Sequence, residues 1–548
     1  MNQLLLKLWR ACPTGEVRVE KVADILELSR KQTTRKMKKW EEDGFLTFSP
    51  GKGRGHLSKI EWKVNVEESF EKEAMNRMEH EPMESLSAYF AYDWSPDTRH
   101  RLMDLFAARF GYSREGRDKL IIPRRHLFRS FHPLEAADAQ SAHLVANLYN
   151  RLVSITEMGE CLPELAHSWD KLPDRLRLYL RKDVRFHDGS TMKAEDVQRC
   201  LEKMGKHPIY RELWIPVEDI TIPGPLIIEI HHPAGCSYVL QMLSMMCASI
   251  YKETAEGPVG TGCFYLGEDT LDKTVLLAFR DHFRERPLLD SVEFVKVEPD
   301  FPVHYQSQTE DPASIEVESD SGFGIVVMNA YRDSPIHHKD VRTYLHHILA
   351  RHRDRIVDFH PRITPIRGGC LKGHEVNPDL PQVPRPDFKS PLIIRATGYT
   401  TDSTRWLQQV FDEEGVPYEV RWFTFDEVVT NHPRALESDL FIHGEIFEEN
   451  EDLSFYHFLI NGYSPLHPVL KPLEEWKERL DLYRQTPFTE WRALHEENER
   501  KLMEDSLMIP LYHVKRAIPF STDLMNIHIR HFGYVDFSKM WVRPGAEA

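Results

Sequence analysis

The alternation of apolar and polar residues over residues 17–62 predicts two helices separated by a tight turn. Along the first helix, apolar residues recur at the spacing of one helical face: Val19, Val22, Ala23, Ile25 and Leu26. Along the second helix, Thr33, Met37 and Trp40 follow i, i+4, i+7 spacing and should face a core. Ser29 precedes them, where a hydroxyl can cap the amides of the first helical turn. We therefore expect a helix-turn-helix with one buried face on each helix.

A short hairpin should follow the two helices. Gly44 suits the end of the second helix, because a residue with positive φ often terminates a helix. Residues 45–48 and 59–64 alternate apolar and polar positions like two paired strands. Residues 49–56 join them through a tip rich in glycine and basic residues. Two helices followed by such a hairpin are typical of a winged helix-turn-helix.

The charge of this region is opposite in sign to the charge of the rest of the chain. Residues 1–66 contain 14 Lys and Arg against 8 Asp and Glu, a net charge of +6, whereas the whole chain carries −16. Residues 67–548 therefore carry −22. A basic module on an acidic body indicates where a polyanion such as DNA can dock. The alternative interpretation is a helical hairpin whose basic face is simply solvated.

If the module binds duplex DNA, side chains near the start of the second helix reach base edges in the major groove, and other cations neutralise phosphates. The residues expected to read bases are Arg30, Gln32, Thr34 and Arg35. The residues expected to contact phosphates are Lys31, Lys38, Lys52 and Arg54. Each of these eight side chains has an alternative interpretation as a solvated surface group.

Length and composition set the size and the compartment. The 548 residues are enough for three or four domain-sized units of about 150 residues each. Seven cysteines without a CxxC pair predict neither a disulfide framework nor a zinc ribbon, and they fit a reducing compartment. Residues 1–9 lack the positive start, the long apolar core and the cleavage site of a secretion signal. No run approaches the ~20 apolar residues of a membrane span, so we expect a cytoplasmic protein without membrane association.

Residues 67–116 should connect the basic module to the body. Residues 67–80 are charged and helix-prone, and residues 99–110 have the pattern of an amphipathic helix closed by Gly111. The apolar residues of that helix would point inward: Leu102, Leu105, Phe106 and Phe110. The segment is either a passive spacer or a helix pair that forms a dimer or carries a signal, and we favour a packed connector.

The most informative stretch of the body follows a short apolar strand predicted to end at Pro123. Residues 175–180 (RLRLYL) alternate as a strand, and residues 181–190 (RKDVRFHDGS) lead into a helix that opens at residues 192–197 (MKAEDV). This run resembles the signature of the solute-binding proteins of oligopeptide and dipeptide transporters. Further matches to that family follow in the same order: residues 259–266 (VGTGCFYL), 283–290 (FRERPLLD), 326–351, 392–429 and 509–512 (IPLY).

A winged helix-turn-helix in front of such a body resembles the SgrR family of transcriptional regulators, and the resemblance covers essentially the whole chain. It implies a mixed α/β fold in which a winged helix-turn-helix precedes a two-lobed domain of the type 2 periplasmic-binding-protein kind. The expected bounds are 1–66 for the winged domain, 67–116 for a helical connector and 117–548 for the solute-binding-like domain. Lobe I would take residues 117–320 and 512–548, and lobe II residues 321–511.

The resemblance also implies a DNA-binding regulator that senses a small ligand, such as a sugar, a sugar phosphate or a peptide, by closure of a cleft. In relatives that bind peptides, an acidic residue after a lobe II strand holds the peptide amine, and Glu448 lies near the matching position. Glu445 stands where an aromatic residue is common, a departure that counts against peptide binding. These two glutamates are the expected ligand-binding residues, and a solvated acidic loop is the alternative.

Other patterns predict neither catalysis nor a metal site. Adjacent histidines at 231–232, 337–338 and 346–347 point in different directions, and no cysteine or carboxylate completes a zinc site. The sequence FHDG at 186–189 is interpreted as a structural turn. We expect no enzyme activity and no cofactor, with double-stranded DNA and a small ligand as partners and a homodimer as an open alternative. Two other functions stay open: a solute-binding protein of an oligopeptide transporter, and an enzyme on the same scaffold.

Overall fold

In the computed structural model of the chain, the described residues are 1–542 apart from 52–56, 114–116, 157–158, 299–300, 302–313, 361, 372, 375, 431, 461–463, 522–523 and 528–534. The N-terminal part folds as three helices and a three-stranded antiparallel sheet of order β1-β3-β2. Its elements are α1 (Gln3–Ala11), β1 (Gly15–Val17), α2 (Val19–Leu26), α3 (Arg30–Glu42), β2 (Leu46–Ser49) and β3 (Ser58–Trp62).

The predicted helix-turn-helix and hairpin are confirmed. Ser29 caps α3 in a capping box with Gln32, in which each side chain binds the backbone amide of the other residue. Glu27 adopts a left-handed conformation with φ +55° in the turn between α2 and α3. The three residues predicted to face the core are buried: Thr33, Met37 and Trp40. Strand β1 adds a third strand that the prediction missed, because three residues are too few to show an alternation.

The connector is helical. Its elements are α4 (Val66–His80), α5 (Met83–Leu86), a 3-10 turn (Ser87–Ala91), α6 (Pro96–Ala107) and the short strand β4 (Gly111–Ser113). Helix α6 begins at Pro96, three residues earlier than predicted, because Ser95 caps it and a proline is well tolerated in the first turn. Leu102, Phe106 and Phe110 are buried as predicted.

One apolar core runs from the winged module through the connector to the first sheet of the body, and we call it the shared core. Phe301 lies at its far end, with its ring centroid 5.4 Å from those of Phe106 and Phe110. The connector therefore packs against both neighbours. Representative members of the shared core are Leu5, Trp40, Phe70, Met78, Leu102, Phe106, Phe110, Ile121, Val295, Val297 and Phe301.

The region that we call lobe I, residues 117–298, is built on two larger sheets, ordered β14-β15-β16-β5-β4 and β10-β11-β9-β8, and β4 of the connector forms the edge of the first. Strand β5 continues through Pro123, where the prediction ended it, because it pairs in parallel with β16 as far as Arg124. The elements are β5 (Lys119–Arg124), α7 (Ala139–Leu148), β6 (Val153–Ile155), β7 (Cys161–Pro163), β8 (Ala166–Leu172), β9 (Arg175–Leu180), α8 (Ala194–Lys206), α9 (Arg211–Trp214), β10 (Asp219–Gly224), β11 (Ile227–His231), α10 (Val239–Met242), a 3-10 turn (Met246–Ala248), β12 (Lys252–Thr254), β13 (Gly257–Val259), β14 (Phe264–Asp269), β15 (Lys273–Ala278) and β16 (Ser291–Lys296).

The region that we call lobe II, residues 314–521, is built on one six-stranded sheet of order β18-β22-β17-β21-β19-β20, in which β19 is parallel to β20 and β21. Its strands are β17 (Ser314–Met328), β18 (Ile363–Pro365), β19 (Leu392–Ala396), β20 (Tyr418–Trp422), β21 (Leu440–Glu445) and β22 (Met508–Ser521). Its helices are α11 (Lys339–His352), α12 (Thr401–Glu414), α13 (Phe425–Val429), α14 (Pro433–Leu436), α15 (Glu451–Ile460), α16 (Leu466–Leu470), α17 (Glu474–Gln485) and α18 (Trp491–Glu504). Short 3-10 turns lie at Pro335–His337, Arg353–Asp358, Gly398–Thr400 and Phe488–Glu490.

Two long neighbouring strands of the lobe II sheet contain both predicted lobe junctions. Strands β17 and β22 pair antiparallel and run through the positions 320/321 and 511/512 where the sequence placed the lobe junctions. After them come the paired strands β23 (Leu524–Met525) and β24 (Trp541–Val542). The tail returns to lobe I, where the amide of Phe537 donates to the side chain of Asn147 at 3.3 Å. None of the helices that the structure describes combines the length and apolar character that crossing a bilayer requires.

Candidate functional site

The outward side of α3 carries three exposed cations that we call the cation stripe. Lys31, Arg35 and Lys38 are spaced i, i+4, i+7, so they point to the same side of the helix. Among the described residues, none of the three has an ion-pair or hydrogen-bond partner. The opposite face of α3 is held in the shared core, so the helix backbone fixes the direction of the stripe.

The other three residues predicted to read bases have partners within the winged module. Arg30 forms an ion pair with Glu20 of α2. The side-chain oxygen of Gln32 accepts the backbone amide of Ser29 at 3.1 Å, and the hydroxyl of Thr34 donates to the carbonyl of Arg30 at 2.9 Å. Of the four predicted base readers, Arg35 therefore has the side chain most available to DNA.

Two of the predicted phosphate contacts belong to the tip of the wing. Lys52 and Arg54, the two predicted phosphate contacts at the tip, lie outside the described residues. Lys39 was not among the predicted DNA contacts, but it is exposed one turn after Arg35. The i+4 spacing from Arg35 was the signal that could have found it.

Of the two predicted ligand-binding glutamates, Glu445 lies at the end of β21 and has a partner on the same strand. Its carboxylate contacts the ring nitrogen Nε2 of His443 at 2.9 Å. Its backbone pairs with Phe323 of β17. The side chain is partly exposed, at 23%. Its carboxylate contacts His443 rather than Glu448.

Glu448 lies in the loop after β21 and reaches into lobe I. Its Oε2 accepts the backbone amide of Met246 at 2.8 Å. Burial raises the pKa of Glu448 to about 7, against the opposing effects of the Met246 amide and the positive charge of Arg151. The residue predicted to hold a ligand amine is therefore a contact between the lobes in this structure, and its charge can change near neutral pH.

A second contact between the lobes lies at α13. The guanidinium of Arg129 in lobe I forms an ion pair with Asp426 and lies over the ring of Phe425, 4.7 Å from its centroid. The hydroxyl of Ser237 also donates to the carbonyl of Thr486 at 3.2 Å. Apolar packing joins the same two regions, because one buried core contains residues of both and the ring centroid of Tyr238 lies 5.0 Å from that of Trp491.

The FHDG sequence forms the expected turn. Gly189 has φ +82°, and its amide donates to the carbonyl of Phe186 at 2.8 Å. The ring nitrogen Nε2 of His187 contacts the carbonyl of Gly262 at 3.0 Å, and burial lowers the pKa of His187 to about 4. Asp188 pairs with Lys252 and with Ser190. The histidine and aspartate have separate structural partners, so the arrangement does not form a catalytic pair.

Comparison with known families gives two matches, one in the N-terminal part of the chain and one in the body. Residues 2–100 match the family described as sugar transport-related sRNA regulator N-term. Residues 160–306 match the family described as bacterial extracellular solute-binding proteins, family 5 middle. The first match covers the winged module and the connector as far as the first turn of α6.

Curated relatives align over nearly the whole chain. The HTH-type transcriptional regulator SgrR of Photorhabdus laumondii is 22% identical over 578 aligned positions, which cover 99% of each chain. The HTH-type transcriptional regulator SgrR of Pectobacterium atrosepticum is also 22% identical, again with 99% of each chain covered. The domain order is therefore the same from end to end.

Solved structures match the body. A dipeptide-binding protein from Pseudoalteromonas aligns with a TM-score of 0.65 at 16% identity, and covers 78% of this chain and 100% of its own. The murein tripeptide-binding protein of Escherichia coli aligns with a TM-score of 0.64 at 12% identity, and covers 79% of this chain and 99% of its own. These matches confirm the mixed α/β periplasmic-binding-protein fold that the sequence predicted. With an N-terminal region that matches sugar transport-related sRNA regulators, a body that matches family 5 solute-binding proteins and a full-length alignment to SgrR regulators, the chain is similar from end to end to the SgrR family of transcriptional regulators.

Proposed function

We propose that the protein binds double-stranded DNA through α3 and the wing. The observation that carries this proposal is the cation stripe: Lys31, Arg35 and Lys38 are exposed, lie on one side of a capped helix and lack partners among the described residues. Cations arranged in this way neutralise phosphates and release counterions, while Arg35 can pair with a guanine edge in the major groove. Curated relatives that align over the full chain are HTH-type transcriptional regulators, which supports the same function.

We propose further that the body senses a small ligand and transmits its binding to the DNA-binding module. The shared core ties the winged module and the connector to lobe I, so these parts should move as one unit. Lobe II meets lobe I through the contacts of Glu448 and Arg129 and through a common apolar core. A ligand held between the lobes would favour the closed form by the extra contacts it makes there. Such a regulator acts in the cytoplasm without catalysing a reaction. Two copies bound to adjacent half-sites would recognise a longer DNA site than one copy.

An electrophoretic mobility shift tests the DNA-binding proposal on full-length protein. The probes are the duplex upstream of its own gene and an unrelated duplex of the same length. The variant carries Lys31→Ala, Arg35→Ala and Lys38→Ala. If Lys31 and Lys38 each contact one phosphate and Arg35 contacts a base, the slope of log affinity against log salt should become shallower by about 2. Binding at low salt should fall by at least about a hundredfold, since each lost contact contributes on the order of 1 kcal/mol.

A matched control removes the same charge from the body. Lys171, Lys389 and Lys471 are exposed lysines outside the winged module, and their replacement by alanine also lowers the net charge by three. This variant should bind both duplexes like the wild type. Equal binding by the α3 variant and the wild type would refute the assignment of α3, and equal loss in both variants would reduce the effect to net charge. Stoichiometry of the retarded complex, measured by sedimentation, tests the dimer.

A further inference from the structure

Lobe II contains a buried arginine whose guanidinium makes no hydrogen bond to a described residue. Arg395 lies in β19, between β20 and β21, and is only 1% exposed. Among the described residues, none of its three guanidinium nitrogens has a hydrogen-bond partner. The guanidinium carbon of Arg395 lies 4.2 Å from the ring centroid of Phe441, a residue of the adjacent strand β21.

Other buried arginines of the same chain donate to carbonyl oxygens through their terminal guanidinium nitrogens. Arg124, 5% exposed, donates to the carbonyls of Thr270 and Leu271 at 2.9 and 3.0 Å. Arg342, 7% exposed, donates to the carbonyl of His337 at 2.7 Å. A buried guanidinium without such partners carries a substantial desolvation cost. The contrast makes a purely structural role for Arg395 a poor explanation.

The charge at Arg395 has no counter-ion among the residues that the structure describes. Burial lowers the pKa of Arg395 to about 9, so the group still carries its proton at neutral pH. No carboxylate among the described residues forms an ion pair with it. A positive charge held in this way creates a strong local attraction for an anion, because the surrounding dielectric constant is low.

The position in the sheet is the one where open α/β sheets bind ligands. Strand β19 is followed by α12 and then by β20 on one side, whereas its neighbour on the other side, β21, comes later in the chain. The strand order therefore changes direction at β19, and crevices form outside the carboxyl ends of strands at such a point. Arg395 is the penultimate residue of β19, next to that end.

We propose that Arg395 receives the anionic oxygen group, a carboxylate or a phosphate, of the ligand that lobe II takes up. Its planar fork of N–H groups matches two oxygens of such a group, and the Phe441 ring fixes the plane of the fork. The ligand reaches Arg395 when the elements that cover it move apart, since the side chain is closed off in the present arrangement. This assignment rests on the proposed sensing function and narrows its ligand to an anion.

Thermal-shift measurements on full-length protein test the assignment with matched pairs of probes. The phosphate pair is a hexose phosphate and the corresponding neutral hexose, and the carboxylate pair is dialanine and dialanine amide. Inorganic phosphate and acetate serve as the minimal anions. In the wild type, the anionic member of one pair should raise Tm with concentration while its neutral partner does not. The pair that responds identifies the source of the anion.

Three variants separate a binding role from a structural one. Arg395→Met should raise Tm without ligand, because it removes an uncompensated buried charge, and should weaken the response to the anionic probe by at least about tenfold in concentration. Arg395→Lys keeps the charge and should retain part of the response. Arg124→Met, the control, should lower Tm because it leaves carbonyl partners unmet, while the protein that stays folded keeps its response.

Two results would overturn the assignment: an unchanged response to the anion in Arg395→Met, or no anionic probe that stabilises the wild type more than its neutral partner. The mobility shift on the same preparations distinguishes the two proposals. Loss of DNA binding with an intact Arg395-dependent response would refute the DNA-binding proposal and support the anion site. Intact DNA binding without that response would do the reverse.

Discussion

Replacing Glu448 with Gln should make the protein more stable at alkaline pH. The carboxyl group is buried against the amide of Met246, 2.8 Å away, and its pKa rises from 4.5 to about 7. Keeping the ionised form there costs about 3 kcal/mol relative to the unfolded chain. Gln retains an oxygen for the Met246 amide and carries no charge. Its NH₂ group needs a new partner, at a cost of about 1–2 kcal/mol, so the net gain should be about 1–2 kcal/mol.

The dependence on pH follows from which state holds the proton. Between pH 4.5 and pH 7, the folded chain keeps the proton on Glu448 while the unfolded chain releases it. Stability contributed by this residue is therefore fully present below pH 4.5 and is lost as pH rises through about 7. The variant lacks the titrating group and should lack this loss.

Calorimetric unfolding at pH 5 and pH 8 measures the effect. A chain with two lobes and a further module can unfold in more than one step, so the quantity compared is the Tm difference between variant and wild type at each pH. That difference should be near zero or slightly negative at pH 5 and positive at pH 8. Glu437→Gln, which removes an exposed carboxylate just before β21, is the control and should leave both differences near zero. A Glu448→Gln difference that is the same at both pH values would refute the reasoning.

Two further predictions concern the winged module. Ser29→Ala removes the N-cap of α3 and should lower the free energy of unfolding of the module by about 1 kcal/mol, with Ser29→Asp restoring it; urea unfolding followed by tryptophan fluorescence measures this, and an unchanged midpoint would contradict it. Phe301→Ala removes a buried ring that contacts Phe106 and Phe110, a loss of about 3–5 kcal/mol. The winged module and connector should then melt separately from the body in calorimetry, whereas one transition at lower Tm would argue against the shared core as the link.

The sequence predicted the local elements of the winged module because their signals are local. The i, i+4, i+7 spacing of Thr33, Met37 and Trp40 is enough to fix the buried face of α3, and Ser29 marks its start. The strand over Arg175–Leu180 was also predicted at its full length from a simple alternation. In the body, the order of motifs predicted the fold that the solved structures share.

Features that depend on distant partners were not predictable in this way. Phe110 and Phe301 are 191 positions apart, and no spacing rule links them. Gln32 was predicted to read a base, but its side chain caps α3, since the same residue type suits both roles. The sequence also gives no sign that Arg395 lacks a hydrogen-bond partner among the described residues, because this depends on neighbours that are distant in the chain.

The shared core limits where the chain can be divided. A fragment ending at residue 66, where the sequence placed the edge of the DNA-binding domain, would lose Phe70, whose ring centroid lies 5.9 Å from that of Phe45, and would expose apolar side chains of the shared core to water. A fragment ending after Phe110 would keep most of the shared core and expose only the side that faces Ile121 and Phe301. In a gene fusion, or in an exchange of sensing bodies between relatives, the DNA-reading end therefore has to travel together with α4 to α6, and the useful seam lies between α6 and β5.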